Sequence, residues 1–279
     1  MSGEPTILVE RDGGVATVIL NRPAQRNAIS LGMEQELHDA MWGLEADESV
    51  RAIVVTGAGT GFCSGIDISD PAAFGADAHA EHDAQLGVTS ETVGDRVAYW
   101  RMTTPVIGAI NGAAIGAGLT IAMLFDIRFV AEDAKLSFVF TRRGILPEAN
   151  STWLLPRLVG VERALDLLLT GRTFLGTEAV EMGIATRALP AGEVLAAAQE
   201  FARDVAVNTA PASIATAKRL IYESLGETDR MGAMARETKL TWWLGEQPDA
   251  TEGVMAFMEK RDPKWTASKH LRPPDDASA

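Results

Sequence analysis

Two glycine-containing bends carry the strongest chemical signal in the sequence. The first, Cys63-Ser64-Gly65-Ile66-Asp67, follows an apolar strand pattern, and the second, Gly116-Ala117-Gly118, follows another. A helix pattern begins at the second bend, and the free N–H groups of a helix N-terminus stabilise negative charge. Two such bends after neighbouring strands could each aim one N–H at a single point and form an oxyanion hole. The same small residues could instead serve only close packing of the backbone.

The segment 105–125 must position the second bend. It has no charged residue, and it is long enough to cross a membrane as a helix. Its four glycines and Asn111 instead favour a buried strand, a tight turn and a helix from about Ala117 to Phe125. A helix that is apolar on every side is typically buried in a core, so we expect no membrane partner.

The remaining patterns indicate an α/β fold. Strands and helices alternate up to about residue 200, which predicts parallel strands joined by crossover connections. From Asn150 onward the pattern is nearly all helical, with Gly171 and Gly183 where helices should end. Asp249 and Glu252 are spaced like a capping pair for the last helix. The main predicted elements are strands at 15–20, 52–56 and 127–131 and helices at 29–44, 211–225, 230–244 and 249–260.

Composition and charge argue against several classes of protein. Hydrophobic residues make up 47% and charged residues 23% of the 279 residues, as in an ordinary globular protein. The net charge of −13 argues against a nucleic-acid partner, although a few local cations could still hold a small anion. The single cysteine, Cys63, cannot form an internal disulfide, and the acidic N-terminus lacks the apolar core of a secretory signal. We therefore expect a cytoplasmic protein.

The segment 67–95 is polar, acidic and without clear periodicity. A loop of that length is usually functional or mobile. His79, Glu81 and His82 could ligate a metal ion, but in a solvated acidic loop this is the weaker interpretation. The sequence offers no good candidate for a Ser–His or Cys–His pair. We predict neither a metal site nor a nucleophilic dyad.

Short motifs stand in a characteristic order along nearly the whole chain. They are Leu20-Asn21-Arg22-Pro23 with Arg26-Asn27-Ala28, Thr56-Gly57 with the bend at 62–67, Asn111-Gly112 with the bend at 116–118, Asp126-Ile127-Arg128, and the stretches 155–160 and 257–261. Together, from about Ile7 to Trp265, they resemble the crotonase (enoyl-CoA hydratase/isomerase) superfamily. The resemblance implies a crotonase-like spiral of ββα units with the acyl-CoA site in residues 1–200. It also implies a helical oligomerisation region in residues 201–279, trimers or dimers of trimers, and no cofactor, since coenzyme A is part of the substrate.

The resemblance also implies which residues form the acyl-CoA site. By position, the two oxyanion amides fall on Ile66 and Ala117. Arg26 matches a residue near the CoA nucleotide, and Lys260 matches a lysine that often approaches CoA from a neighbouring subunit. A plain helix-surface role stays open for Lys260. The other expected substrate-binding positions lie in the bends and on the walls beside them: Ser64, Gly65, Asp67, Gly116, Thr120 and Phe140.

Departures from the family pattern bear on the reaction. Hydratases of this family carry two glutamates, and the matching positions here are Thr120 and Phe140, which puts two-carboxylate hydration in doubt. Glu148 stands where hydratases usually have glycine and resembles the single glutamate of some 3,2-enoyl-CoA isomerases. Its apolar flanks, Leu146 and Trp153, would raise its pKa, as a general base working near neutral pH needs. We therefore expect double-bond isomerisation.

Other interpretations of Glu148 and of the whole chain stay open at this point. Glu148 could cap the helix that begins near Asn150, or it could pair with Arg142 or Arg143, which would lower its pKa. The chain could be an enoyl-CoA hydratase that uses Glu148 with a second acid, such as Asp70. It could also be a non-catalytic acyl-CoA-binding homologue.

Overall fold

Ten short strands form two sheets in the computed structural model, which describes residues 5–69 and 97–273. In chain order the strands are β1 (Ile7–Asp12), β2 (Val15–Leu20), β3 (Ala52–Gly57), β4 (Gly61–Cys63), β5 (Val106–Ile110), β6 (Ala113–Ile115), β7 (Ile127–Ala131), β8 (Lys135–Ser137), β9 (Thr173–Leu175) and β10 (Arg187–Leu189). The larger sheet has the order β1-β2-β3-β5-β7-β10, and the smaller one β4-β6-β8-β9.

The helices of the described residues lie between and after these strands. They are α1 (Leu31–Ala46), α2 (Ala117–Met123), α3 (Ser151–Val159), α4 (Val161–Thr170), α5 (Gly176–Met182), α6 (Val194–Asn208), α7 (Pro211–Ser224), α8 (Arg230–Gly245) and α9 (Pro248–Glu259). Throughout residues 5–69 and 97–273, none of these helices combines the length and the apolar character that a membrane span requires.

The path of the chain is a spiral. After the antiparallel hairpin of β1 and β2, every neighbouring pair in the larger sheet is parallel. The strand pairs β3 and β4, β5 and β6, and β7 and β8 each send one strand to the larger sheet and the next strand to the smaller. Parallel neighbours require crossover connections, and these repeated turns confirm the predicted α/β class and the crotonase-like spiral of ββα units.

The predicted elements agree with the structure where the pattern is long. The strands at 15–20 and 127–131 are confirmed with those bounds, and α1 begins at Leu31 because the Ser30 side chain accepts a hydrogen bond from Met33 N at 3.2 Å. The prediction of a nearly all-helical chain after Asn150 is confirmed apart from two short strands, β9 and β10. Both have three residues, too few to show an alternating pattern.

The core holds the site elements from several sides. Helix α6 packs against β2, β3, β5 and β7, and Ala198 and Ala202 on its inner face are fully buried. Helix α2 is buried along almost its whole length, as predicted. Packing in the core therefore fixes the strands and the helix that flank the two bends.

The predicted capping pair on α9 is wrong. The helix begins at Pro248 after Gln247, and Asp249 instead accepts hydrogen bonds from Thr266 N at 2.8 Å and from its hydroxyl at 3.0 Å. Glu252 accepts from Arg261 at 2.6 Å. Both carboxylates therefore fasten the chain that follows the helix rather than the helix N-terminus.

Candidate active site

Asn27 holds the first bend in place. Its side chain is fully buried, and its amide nitrogen donates to the carbonyl oxygens of Ala58, Gly61 and Phe62 at 3.0, 2.9 and 3.1 Å. The backbone at Arg26 accepts a hydrogen bond from Ser64 N at 3.0 Å. One buried amide thus ties the chain before α1 to the chain after β3.

The N–H of Ile66 points away from its neighbouring strand. Ile29 N donates to Gly65 O at 2.8 Å, and Asp67 N donates to Ile29 O at 2.8 Å, so Ile29 bonds the residues on either side of Ile66. In a parallel pair the bonding groups of one residue go to such flanking residues. The N–H of Ile66 therefore faces the other side, which is where the second bend lies.

The second bend leaves the N–H of Ala117 at the start of α2. Gly116 has φ +55° and ψ −124°, a backbone conformation that favours glycine. Ala117 is the first residue of the helix, so its N–H has no acceptor inside the helix. Gly116 N donates to Ser137 O at 2.9 Å, and this bond holds the bend against β8.

The two bends lie against each other. A methyl group added to Gly65 would stand 2.7 Å from the Ile115 carbonyl oxygen and 3.6 Å from the Ala117 nitrogen. A methyl group on Gly118 would stand 2.8 Å from the Cys63 sulfur. Because Ile66 N is bonded to the carbonyl carbon of Gly65, the amides of Ile66 and Ala117 lie close together. Two neighbouring N–H donors of this kind can bind a developing oxyanion.

The carboxylate of Glu148 is bound to the first turn of α2. The Thr120 hydroxyl, which is fully buried, donates to Glu148 Oε1 at 2.5 Å. The Glu148 residue as a whole is exposed, but its Oε1 lies against the buried Thr120 hydroxyl. Burial raises the pKa of Glu148 above its ordinary value, the Thr120 hydrogen bond lowers it, and the charge of Glu34 raises it further. Glu148 therefore has the properties of a general base next to the two amides.

The other interpretations of Glu148 have no support in these contacts. Helix α3 follows Asn150, and it is the backbone oxygen of Glu148, at 3.1 Å from Ser151 N, that meets the helix rather than the carboxylate. Arg142 donates to the carbonyl oxygen of Thr170, and neither it nor Arg143 is among the groups that shift the pKa of Glu148. The Glu148 carboxylate therefore contacts Thr120 next to the second bend, and it neither caps α3 nor pairs with Arg142 or Arg143.

Two residues directly after Glu148 have strained backbone. Ala149 has φ +50° and Asn150 has φ +61°, both in the left-handed region that non-glycine residues rarely adopt. Strain of this kind clusters at functional sites, where the surrounding structure maintains it. Here it belongs to the turn from which Glu148 reaches Thr120.

The remaining expected site residues differ in how the structure uses them. The Asp67 carboxylate pairs with Arg22 at 2.9 Å and accepts the Ser69 hydroxyl at 2.6 Å, and these hydrogen bonds lower its pKa. Phe140 is buried, with its ring edge 4.0 Å from where a methyl group on Gly116 would stand. The side chain of Arg26 is exposed, and Ser64 Oγ lies 3.4 Å from a backbone oxygen.

Of the remaining predicted residues, Lys260 does not lie at the bends. Lys260 follows α9 with φ +55° and is exposed, and no contact within the described residues of the single chain brings it to the bends. Asp70, His79, Glu81 and His82 lie outside the described residues.

Glu34 is the residue that the sequence analysis missed. It lies on α1 and lines a narrow cavity between α1, β3, β4 and α2, and its charge contributes to the raised pKa of both Glu148 and Tyr99. The sequence gives little indication of this position in the fold, because Glu34 lies directly beside the apolar stripe of Met33 and Leu37. A charged residue beside such a stripe is normally expected to face solvent.

The lone cysteine is not a nucleophile. Cys63 is buried, and burial raises the pKa of its thiol to about 12. The thiolate, which is the reactive form, is therefore scarce at neutral pH. This agrees with a site whose chemistry comes from two amides and a carboxylate.

Comparison with known proteins shows the family of this chain. The chain matches the family described as enoyl-CoA hydratase/isomerase over residues 10–268. It is 36% identical to the enoyl-CoA hydratase ACTT3 of Alternaria alternata over 92% of this chain and 84% of that protein, and 33% identical to the 1,2-epoxyphenylacetyl-CoA isomerase of Escherichia coli over 93% and 98%. The solved structure of a probable enoyl-CoA hydratase/isomerase from Mycobacterium abscessus is 40% identical, covers 94% of this chain and 99% of its own, and superposes with a TM-score of 0.83. With its ββα spiral and its paired glycine bends, the chain belongs to the enoyl-CoA hydratase/isomerase family of the crotonase superfamily and is an enzyme of that type.

Proposed function

We propose that this enzyme is an enoyl-CoA isomerase in which Glu148 moves a proton between C2 and C4 of the acyl chain. The observation that carries this proposal is the hydrogen bond from Thr120 to Glu148, which places one carboxylate a single helical turn from the Ala117 amide. The positions of the two hydratase glutamates hold Thr120 and Phe140, which offer no carboxylate.

The proposed reaction uses the two amides and the carboxylate together. The thioester oxygen of a 3-enoyl-CoA accepts hydrogen bonds from the N–H groups of Ile66 and Ala117. Glu148 removes a proton from C2, and the electron pair moves onto that oxygen as an enolate. The protonated Glu148 then delivers the proton to C4, which leaves the double bond between C2 and C3. Thr120 holds Oε1 of Glu148, so that Oε2 is the oxygen that exchanges the proton.

Hydration is the second candidate function. Several similar proteins are named enoyl-CoA hydratases, including the Alternaria relative and one from Bacillus anthracis whose structure superposes with a TM-score of 0.84. Hydration adds the oxygen of water to C3 and a proton to C2, which normally engages two acid–base groups. Glu34 favours this alternative, because it offers a second carboxylate whose charge raises the pKa of Glu148.

The proposal includes the setting of the enzyme. The substrate is an acyl-CoA thioester, and the proton transfer needs no cofactor or metal, since coenzyme A is part of the substrate. We further propose a trimer or a dimer of trimers in the cytoplasm, assembled through residues 201–279. Exposed apolar side chains on α8 and α9 support this: Met231, Met234, Trp242, Val254, Phe257 and Met258. Sedimentation of the purified protein tests it, and a monomer at micromolar concentration contradicts it.

The test of the reaction is incubation with matched 2-enoyl- and 3-enoyl-CoA thioesters, with double-bond migration and hydration measured separately. Glu148→Gln should lower isomerisation about 10²- to 10⁴-fold, because general-base catalysis typically contributes that much. Glu200→Gln, an exposed glutamate on α6, is the control and should leave the rate unchanged. Undiminished isomerisation by Glu148→Gln would show that the base is another group. Hydration without migration favours the second candidate, and binding of CoA esters without turnover favours a non-catalytic homologue.

A further inference from the structure

An open cavity of about 290 Å³ lies between α2, α3, α7 and the segment that precedes β5. Its lining within the described residues is mostly apolar and aromatic, and it includes Trp100, Leu124, Trp153, Leu154 and Tyr222. An apolar cavity of about 150 Å³ is large enough to bind benzene. This cavity therefore has room for an aromatic ring together with a substituent.

The cavity lies beyond Glu148 along α2. Thr120, whose hydroxyl donates to Glu148, and Leu124, which lines the cavity, are one helical turn apart and share one face of α2. Trp153 comes shortly after Glu148 in the chain, in the first turn of α3, and also lines the cavity. The helix rises about 10 Å from Ala117 to Leu124. The Ala117 amide, the Glu148 carboxylate and the cavity thus follow one another, so that an acyl chain can enter the cavity beyond C4.

Contacts outside the lining hold two of the aromatic walls. The Arg157 guanidinium stacks on the Trp153 ring, with its Cζ atom 3.8 Å from the ring centroid. The Tyr222 hydroxyl donates to Asp126 Oδ1 at 3.0 Å. The buried ammonium of Lys218 pairs with the other oxygen of Asp126 at 2.8 Å. Both rings therefore have fixed positions in the absence of a ligand.

The third aromatic wall, Trp100, is held through the backbone on either side of it. Lys218 Nζ donates to the carbonyl oxygens of Tyr99 and Thr104 at 2.9 and 3.1 Å. The short segment that carries the Trp100 ring is thereby fastened to α7. A preformed space between fixed, flat rings can take up a flat group with little cost of reorganisation.

Glu223 is the one charged residue among the described residues that line the cavity, and its side chain is exposed. Its carboxylate lies 3.9 Å from the guanidinium nitrogens of Arg219 and of Arg236. A ligand in the cavity would therefore not have to cover an unpaired charge, which would be unfavourable. This arrangement is compatible with an uncharged, apolar occupant.

We propose that this cavity receives an aryl group at the distal end of the acyl chain, so that the substrates are aryl-substituted acyl-CoA thioesters. An aromatic ring can pack edge-to-face or offset against Trp100 and Trp153, and such pairs are more favourable than the burial of the same area alone. A saturated ring of the same size gains the burial but not this ring–ring interaction. The inference rests on the proposed acyl-CoA site and does not depend on the choice between isomerisation and hydration.

The test compares saturated CoA thioesters, which cannot react by either route, in calorimetric titrations. Chains of about four to six carbons end in a phenyl or a cyclohexyl ring, and butanoyl-CoA, which carries no ring, measures binding to the rest of the site. Trp153→Leu and Trp100→Leu should each lower the ratio of phenyl to cyclohexyl affinity about two- to ten-fold. Trp153→Phe keeps a ring and should retain most of the wild-type ratio. Thr152→Ala, at an exposed residue beside Trp153 that does not line the cavity, is the control and should leave the ratio unchanged.

The outcomes separate this inference from the proposed function. Equal losses of phenyl and cyclohexyl affinity in both leucine variants, or no loss in either, overturn the inference while the acyl-CoA site stands. Failure of the wild type to bind any of the thioesters, butanoyl-CoA included, overturns the proposed function and the inference with it. Circular dichroism shows whether the variants are folded. If one leucine variant is not, the other decides.

Discussion

The glycine bends and the Glu148 segment, residues 145–150, face each other across the candidate site and are built in opposite ways. The bends use backbone groups, and Gly65 and Gly118 are enclosed by neighbouring backbone and by Cys63. The Glu148 segment carries its chemistry on a side chain, lies at the surface and contains strained backbone. The bends therefore cannot change without disturbing the core, whereas the Glu148 segment can change by single side chains.

Among the further changes that test this comparison, the largest effect is expected from substitution within a bend. Gly65→Ala places a methyl group 2.7 Å from the Ile115 carbonyl oxygen at a residue whose φ is +94°. The bend must shift, so we expect kcat/KM to fall about 10²- to 10³-fold, as for the loss of one oxyanion donor. The free energy of unfolding should fall by about 1–3 kcal/mol. Steady-state kinetics and urea unfolding measure the two effects.

The control for this prediction lies on α1. Gly32 has no atom within 4 Å of an added methyl group, so Gly32→Ala should stabilise the enzyme by up to about 1 kcal/mol and leave kcat unchanged. If Gly65→Ala keeps kcat and stability as Gly32→Ala does, activity does not depend on the close packing of the two bends. The contrast drawn between the bends and the Glu148 segment would then be wrong.

This contrast also explains which features could be predicted from the sequence. The bends could be predicted because glycines that follow an apolar strand pattern indicate a tight turn of the backbone. The strand at 127–131 could be predicted because its pattern is long enough. The strands of the smaller sheet could not be predicted, since three residues are too few to show an alternating pattern. The role of Glu34 was missed for a different reason. Its position on α1 was expected, but only the tertiary packing shows that its face of the helix lines a cavity and that its charge raises the pKa of Glu148.

A smaller effect is expected from Thr120, which positions Glu148 and does not itself transfer a proton. Thr120→Val keeps the shape of this fully buried residue but removes the hydrogen bond to Glu148 Oε1. Since that bond lowers the pKa of Glu148, its loss should raise the pKa further. The base is active when ionised, so the acidic limb of the kcat/KM–pH profile should move to higher pH. With the carboxylate less well oriented, kcat should fall about 10- to 100-fold.

Thr120→Ser keeps the donor and is the matched control for Thr120→Val. It should retain both the wild-type pH profile and most of kcat. A Thr120→Val enzyme with a lower kcat but an unmoved acidic limb would mean that Thr120 acts through packing and that the pKa of Glu148 is set elsewhere.

The smallest expected effect tests the strained backbone after Glu148. Ala149 has φ +50°, where an L-residue costs about 1–2 kcal/mol and glycine does not. Glycine also makes the unfolded chain more flexible, so Ala149→Gly should raise the free energy of unfolding by only about 0.5–1 kcal/mol. Asn150→Gly should give less, because asparagine tolerates this conformation. If the strain keeps Glu148 against Thr120, Ala149→Gly should also lower kcat, by a factor of about two to five. Greater stability with an unchanged kcat would show that the strain has no part in positioning the base, and unchanged stability would show that the turn relaxes by another route.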